Sequence, residues 1–384
     1  MKGKKGLSAG IVAFFIGIAS VGWAQIVDNP AKPRAVNAGR VVVPEEVLAI
    51  SDEGTREYYF KGPRDLTIAP DGSLFLLDEF QVLQFDKAGK FVRNLFKKGQ
   101  GPGEISQRSA RACLATEKSV IVHTDSPSRL IFFDYAGKYE KEIPIRALTG
   151  PKFMPKTLLA LGGKFYIKSA DLPRVKGEPE YVEVPHSIIA LDSATFESKK
   201  LSSFLTTSYV ITGEGGSHTG LYEISSFFAV PFKGKYLALS HTSEYLITIY
   251  DPAEDKVVRE FRRAYERVKP DPPTALEKTG NIEIGGRRYP RPEQKFQSDV
   301  KVLLTRGDEI WAVTSTRDKS KGVLIDVFDG GGVFLDSFFL RLPESALRQL
   351  RWPGYCTLDG EYLWVAESDE EYDIFTIKKY RVVI

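Results

Sequence analysis

The chain has 384 residues, of which 53 are lysine or arginine and 50 are aspartate or glutamate, for a formal net charge of +3. It is 42% hydrophobic and 12% aromatic, which supports a large core and leans towards strands. The near-neutral balance speaks against a nucleic-acid partner, and two cysteines are too few for a disulfide scaffold.

Residues 1–24 begin with Lys2, Lys4 and Lys5, continue as the uncharged run GLSAGIVAFFIGIASVGW, and end in GWA, with small residues at −3 and −1. This is the pattern of a cleaved secretory signal. A retained N-terminal anchor is the other reading, because the run approaches the ~20 residues that span a bilayer. Cleavage after Ala24 would remove three lysines and no acid, leaving 50 basic and 50 acidic side chains. The expectation is a periplasmic or extracellular monomer with no further membrane span. Residues 25–39 read as a flexible N-terminal segment.

From about residue 40 the chain repeats. Residues 65–96, DLTIAPDGSLFLLDEFQVLQFDKAGKFVRNLF, hold four short apolar runs separated by PDG, DEFQ and DKAGK. PDG and DKAG are hairpin chemistry, since Gly accepts positive φ and Asp bonds its own turn. The unit recurs, and FFDYAGKY near residue 135 echoes QFDKAGKF. Second strands start near Leu74, Val120, Phe165, Tyr236, Ile310 and Tyr362, at intervals of 46, 45, 71, 74 and 52 residues. The first two intervals match a propeller blade, and the longer ones carry insertions. Blades are expected near 64–98, 110–146, 156–201, 224–263, 299–341 and 353–384. The last has only three strands, so the strand-like segment 47–52 is expected to complete it and close the ring. The predicted fold is all-β: a six-bladed β-propeller of four-stranded antiparallel blades.

Between the first two units lies KKGQGPGE, residues 97–104. A phosphate loop needs a helix after it and a terminal Gly-Lys-Ser/Thr; here the chain leads into another strand. Gly99, Gly101, Pro102, Gly103 and Glu104 therefore read as a structural turn joining blades. Together, GPRDLTIAPDGSLFLLD, VLQFDKAGKFVRNLF and GQGPGE resemble the secreted six-bladed propellers of the NHL-repeat-like superfamily, over residues 62–140 above all. Where that group often has Phe after GPGE, this chain has Ile105. The resemblance implies the fold and an exported protein, and the fold hosts unrelated roles.

In such a blade the short turns share one rim. The links between second and third strands, and between blades, share the other. That second rim receives the long segments: 78–81, 123–129, 168–180, 212–220, 240–244, 262–298, 315–321 and 367–373. Long loops on a rigid scaffold are where binding resides. Residues 259–295 alone carry ten basic and six acidic side chains. The reading is either a grip for an anionic partner or a solvated flap.

Candidate ligand-binding residues on this rim are Arg64, Asp78, Arg108, Arg111, His123, His241, Arg317 and Glu367. Arg64, Arg108 and Arg111 lie at or just before the starts of first strands, which line the channel. They are placed to receive an acidic ligand or to pair with acids such as Asp78 and Glu104. His123 and His241 end second strands in two blades, which is one donor short of the three protein ligands a catalytic metal needs. No resident cofactor or metal is expected. Calcium held by rim carboxylates (Asp78, Glu79, Asp125, Glu244, Asp318, Glu367, Asp369) is the weaker alternative. No G-x-S-x-G nucleophile elbow occurs. The function expected is a non-catalytic binding or scaffold module holding a carbohydrate, peptide or protein. The alternative is a lactonase-like hydrolase or lyase with a metal at the channel mouth. Cys113 and Cys356 fall on first strands with blade one between them, so both are expected as free, buried thiols.

Overall fold

The computed structural model describes residues 26–384 apart from 80, 100, 106–109, 126, 146–157, 172–174, 176–177, 196, 213–218, 271–280, 285–286, 291, 353 and 370–373. Three strands come first: β1 (Ile26–Asn29), β2 (Arg40–Val42) and β3 (Glu45–Ser51). Blade one is β4 (Pro63–Ile68), β5 (Leu74–Asp78), β6 (Gln81–Phe85) and β7 (Phe91–Asn94). A short parallel pair follows, β8 (Lys97–Lys98) and β9 (Glu104–Ile105). Blade two is β10 (Ala110–Ala115), β11 (Ser119–Asp125), β12 (Ser128–Asp134) and β13 (Tyr139–Pro144). Blade three is β14 (Leu158–Leu161), β15 (Lys164–Ala170), β16 (Glu180–Asp192), β17 (Ser198–Thr212) and β18 (Thr219–Glu223). Blade four is β19 (Phe228–Phe232), β20 (Tyr236–Ser240), β21 (Ile247–Asp251) and β22 (Lys256–Arg263), and the hairpin β23 (Asn281–Ile284) and β24 (Arg287–Pro290) follows it. Blade five is β25 (Val300–Arg306), β26 (Glu309–Asp318), β27 (Gly322–Asp329) and β28 (Phe334–Leu340). One helical turn and a half, α1 (Glu344–Gln349), leads to blade six, β29 (Cys356–Asp359), β30 (Tyr362–Asp369) and β31 (Ile374–Arg381). Blade three is longer than its predicted end at 201, because β17 runs on and pairs with β18. Among the described residues no helix is long and apolar enough to cross a membrane.

The blades repeat because one turn repeats. At the end of the third strand an aspartate turns its carboxylate onto the amides of the next hairpin: Asp86 onto Ala88 and Lys90, Asp134 onto Lys138, Asp192 onto Ala194 and Thr195, Asp251 onto Ala253, and Asp329 onto Val333. Three residues later Gly89, Gly137 and Gly332 sit at φ near +80°, where a side chain is disfavoured. The middle strands are packed on both faces. All of β5 and β6 are buried, so they read as continuous apolar runs rather than alternating ones. Apolar clusters fill each gap between neighbouring blades. Phe75, Leu77, Cys113 and Val122 join blades one and two, and Ile50, Leu66, Leu74 and Trp364 join blades six and one.

The ring closes as the incomplete sixth repeat requires. β3 pairs antiparallel with β31, Ala49 facing Lys378 and Ile50 facing Ile377. The expected flexible segment 25–39 is corrected where it is described. β1 lies parallel to the outer edge of blade four, Ile26 beside Glu260 and Asn29 beside Arg263, and the next strand, β2, lies parallel to β28 of blade five. Asn29 holds the crossing point by donating to the carbonyls of Arg262 (3.1 Å) and Gly332 (2.8 Å). These strands cover edges that would otherwise present unpaired backbone groups.

Candidate functional site

Six first strands line the central channel: β4, β10, β14, β19, β25 and β29. They enclose a cavity of about 330 Å³, walled mainly by apolar residues such as Leu66, Leu114, Leu158, Val302 and Leu358. Inner strands diverge and leave amides open. Blade one satisfies two of them on blade two: Asp65 Oδ2 accepts from the Cys113 amide (2.8 Å) and Thr67 Oγ1 from the Ala115 amide (3.1 Å). Burial pushes the Asp65 carboxyl up to about 7, against the pull of the two backbone amides it accepts.

At the long-loop rim, three inner strands carry the same irregularity. In blade one, Pro63 faces Asp78 but Asp65 faces Leu77. In blade two, Ala110 faces Thr124 but Ala112 faces His123. In blade five, Val300 faces Thr314 but Val302 faces Val313. Each is a β-bulge with one extra residue on the inner strand, and the extra residues are Arg64, Arg111 and Lys301. Bulges re-aim a side chain at sheet ends and beside active sites. Arg64 and Arg111 reach the channel cavity. Lys301 reaches a neighbouring rim cavity of about 410 Å³, also lined by Tyr222, Glu223, Phe228, Arg351 and Trp352. The two cavities are lined by neighbouring residues of the same segments: Lys301 faces one and Val302 of β25 the other, and Trp352 lines one while Gly354 and Cys356 line the other. Gly354 is required there. Its φ is +91°, and a Cβ would lie 2.6 Å from the Arg64 carbonyl oxygen.

The rim cavity is built by insertions. The β16–β17 hairpin extends past its blade, its far half pairing Glu180 with Val210 and Val184 with Thr206. Tyr209 and Ile211 pack there against Tyr289 of β24, and the Tyr181 hydroxyl donates to the Glu293 carbonyl (3.0 Å). Trp352, after α1, is 57% exposed. A wider hollow of about 960 Å³ opens on the opposite rim, between the short turns of blades one to three.

Several predicted site residues take structural posts instead. Asp78 is fully buried and accepts from the amides of Lys61 (2.8 Å) and Gly62 (2.6 Å), ordering the approach to β4; burial raises its carboxyl above the usual value. Glu367 is buried and accepts from the Tyr380 hydroxyl and from Ser345 (2.8 Å), with Lys378 Nζ at 3.5 Å, so it ties α1 to the last blade. His123 is fully buried and neither ring nitrogen finds a hydrogen-bond partner among the described residues. Burial, and then the nearby Arg111 charge, drive it down to about 3, so it is neutral at pH 7. The ring of His241 lies against Phe204, and its Nδ1 is 3.1 Å from the Leu205 carbonyl that accepts from it. Burial lowers its basicity. Blade three separates the two histidines. Arg317 pairs with Glu344 of α1 at 3.1 Å. Arg108 lies outside the described residues. Among those residues no group of three or more His, Cys, Asp or Glu side chains stands ready to hold a metal.

Arg64 stands 4.0 Å from Glu79, and both are half-buried. Arg64 and Arg111 are therefore the expected rim residues that the structure brings to the channel. Lys301 and Trp352 escaped the sequence reading. Lys301 was detectable, since it lies nine or ten residues before a second-strand start, as Arg64 and Arg111 do. Trp352 follows a helical turn that the strand pattern does not announce.

The KKGQGPGE loop binds an acid, but its own. The Gly101 amide donates to Glu104 Oε2 (2.9 Å), and the Glu104 amide donates back to the Gly101 carbonyl (3.0 Å). Arg129 Nη2 fixes the end of the loop by donating to the Glu104 carbonyl (2.6 Å). Gly103 sits at φ +72°, and a Cβ there would lie 2.6 Å from the Tyr139 ring. A Cβ at Gly99 would overlap the Glu104 carboxylate. Gly99→Ala is thus expected to cost about 1.5–3 kcal/mol, the worth of the displaced charged hydrogen bond. In a Glu104→Ala background the same change should cost little. Additive losses in a urea-unfolding double-mutant cycle would reject this account.

Both cysteines are free and buried. Burial raises Cys113 well above the ordinary thiol value and pushes Cys356 up to about 12. A thiol-directed reagent is expected to label neither in the native protein and both after unfolding; native labelling at a rate near that of free cysteine would contradict the packing.

No protein-family model and no curated protein sequence matches the chain. Solved structures do share its fold. A putative exported protein from Bacteroides fragilis aligns with a TM-score of 0.52 and 13% identity over 94% of this chain and 100% of its own. A member of the DUF4221 family from Bacteroides vulgatus aligns with a TM-score of 0.51 and 11% identity over 90% and 99%. A gluconolactonase from Xanthomonas campestris follows with a TM-score of 0.48 and 12% identity over 89% and 98%. The likeness to the first two, at these identities, establishes the propeller fold alone.

Proposed function

We propose that the chain is an exported, non-catalytic binding propeller of the GxGPGE-carrying, NHL-like kind, which holds an extracytoplasmic partner on its long-loop rim as a monomer. The observation that carries this reading is the rim cavity with Trp352 exposed at its edge, assembled from insertions that the propeller fold itself does not need. Exposed aromatic surface in a concave, partly polar site is what a carbohydrate or peptide ligand needs. Export is supported by the signal-like residues 1–24.

The test is binding of the purified chain to glycan and peptide arrays, compared with Trp352→Ala. Trp352 lies outside the blade cores, so the variant should unfold like the parent while its array signals fall at least tenfold. Equal signals for parent and variant would reject the rim cavity as the binding site.

A further inference from the structure

The repeated bulges go further than a generic binding rim. Blades one and two are repeats of nearly equal length and blade five lies three blades further on, and each places its extra inner-strand residue at the same register step, with a cation in every case: Arg64, Arg111 and Lys301. A bulge costs ladder pairing, so its recurrence with one kind of side chain points to what that side chain meets. Arg351 adds a fourth cation on the rim cavity. Among the described residues, acids near these cations include Glu79 beside Arg64, Asp78 behind it, Glu223, and Asp65 deeper in the wall. Arg64, Arg111, Lys301 and Arg351 bring four cations to the two cavities, in a chain that is neutral from residue 25 onward. Beside Lys301 and Arg351 on the rim cavity stand Trp352 and Tyr222, 57% and 38% exposed. Flat aromatic faces accept the C–H faces of sugar rings, and guanidinium groups grip carboxylates in bidentate fashion.

We propose that the channel mouth is a receptor for an acidic saccharide, whose sugar rings lie on Trp352 and Tyr222 and whose carboxylates meet Arg64, Arg111 and Lys301. This rests on the rim-binding reading above and names its ligand class. Glu104 already occupies the Gly101 amide of the GPGE loop, so charge recognition falls to the bulge cations.

The experiment is calorimetric titration of the full chain with a galacturonate trisaccharide, its neutral galactose counterpart and hexaglutamate. Arg64→Gln, Lys301→Gln and the conservative Arg64→Lys are titrated alongside. The expected result is binding of the galacturonate alone, weakening as salt rises. Each Gln variant should lose at least tenfold in affinity, and Arg64→Lys should recover part of the loss. Should Arg64→Gln fail to fold, Lys301→Gln decides alone. Equal binding of the neutral and charged sugars would overturn the inference while leaving the rim-binding reading intact. Binding of hexaglutamate without the galacturonate would overturn the saccharide class. Silence of all three probes, with array binding still dependent on Trp352, would also overturn the inference and spare the reading beneath it.

Discussion

Asp326→Ala is expected to lower the free energy of unfolding by about 3–5 kcal/mol, the usual cost of stranding one partner of a buried ion pair. Asp326 is fully buried between blades four and five. It accepts from Arg263 Nε at 2.7 Å and from the Tyr245 hydroxyl at 2.8 Å. Arg263, whose side chain is 8% exposed, lies over the rings of Tyr265, Tyr245 and Phe334, at 4.8, 5.2 and 5.2 Å from their centroids. Without the carboxylate that guanidinium has no ion-pair partner among the described residues and little water. The second half of the expectation is a partial rescue. Asp326→Leu combined with Arg263→Met should recover most of the loss, because apolar groups of similar volume replace such pairs at little net cost. Denaturant unfolding measures both. A loss under about 1 kcal/mol for Asp326→Ala would mean that water reaches the pair.

Asp65→Asn is expected to flatten the dependence of stability on pH. Burial raises this carboxyl from 3.8 to about 7 in the folded protein. The folded state then holds a proton that the unfolded chain releases, so the stabilisation is complete below about pH 4 and is lost as pH climbs towards 7. At 1.36 kcal/mol per pH unit the span reaches about 4 kcal/mol, and water entering the channel mouth reduces it to about 3. Asparagine keeps an oxygen for the Cys113 amide but cannot ionise. Parent and variant should be nearly equal at pH 4, and the variant should be the more stable by about 3 kcal/mol at pH 8. A difference between them that stays constant across that range would refute the raised carboxyl.

Why the fold could be read from sequence is visible in one motif. An aspartate ending an apolar run and a glycine three residues on recur because the hairpin needs a side-chain acceptor and then a positive φ. Asp86 with Gly89 and Asp134 with Gly137 meet that need in adjacent blades. The site was harder. Position in a repeat tells which rim a residue is near, and that placed Arg64 and Arg111 at the channel. It does not tell whether the side chain turns inward. Asp78 and Glu367 lie close to the rim by count, yet both are absorbed by local donors, the Lys61 and Gly62 amides and Tyr380 with Ser345. The bulges were invisible for another reason: they show only in how two strands are registered, which is a property of pairs rather than of a run.

The route of residues 26–51 has a consequence for how the ring is made. β1, β2 and β3 have no complete place to dock until strands far along the chain exist: β1 waits for residues 260–263, β2 for 338–340, and β3 for 376–381. Closure therefore joins residues more than 320 positions apart and comes late, after the blade-to-blade stacking that local hairpins permit. In the interval the partner edges of blades four, five and six are open to any other extended chain. A free peptide copied from residues 40–51 should then act in trans, capturing the nascent or refolding propeller by occupying the seat its own beginning has not yet reached.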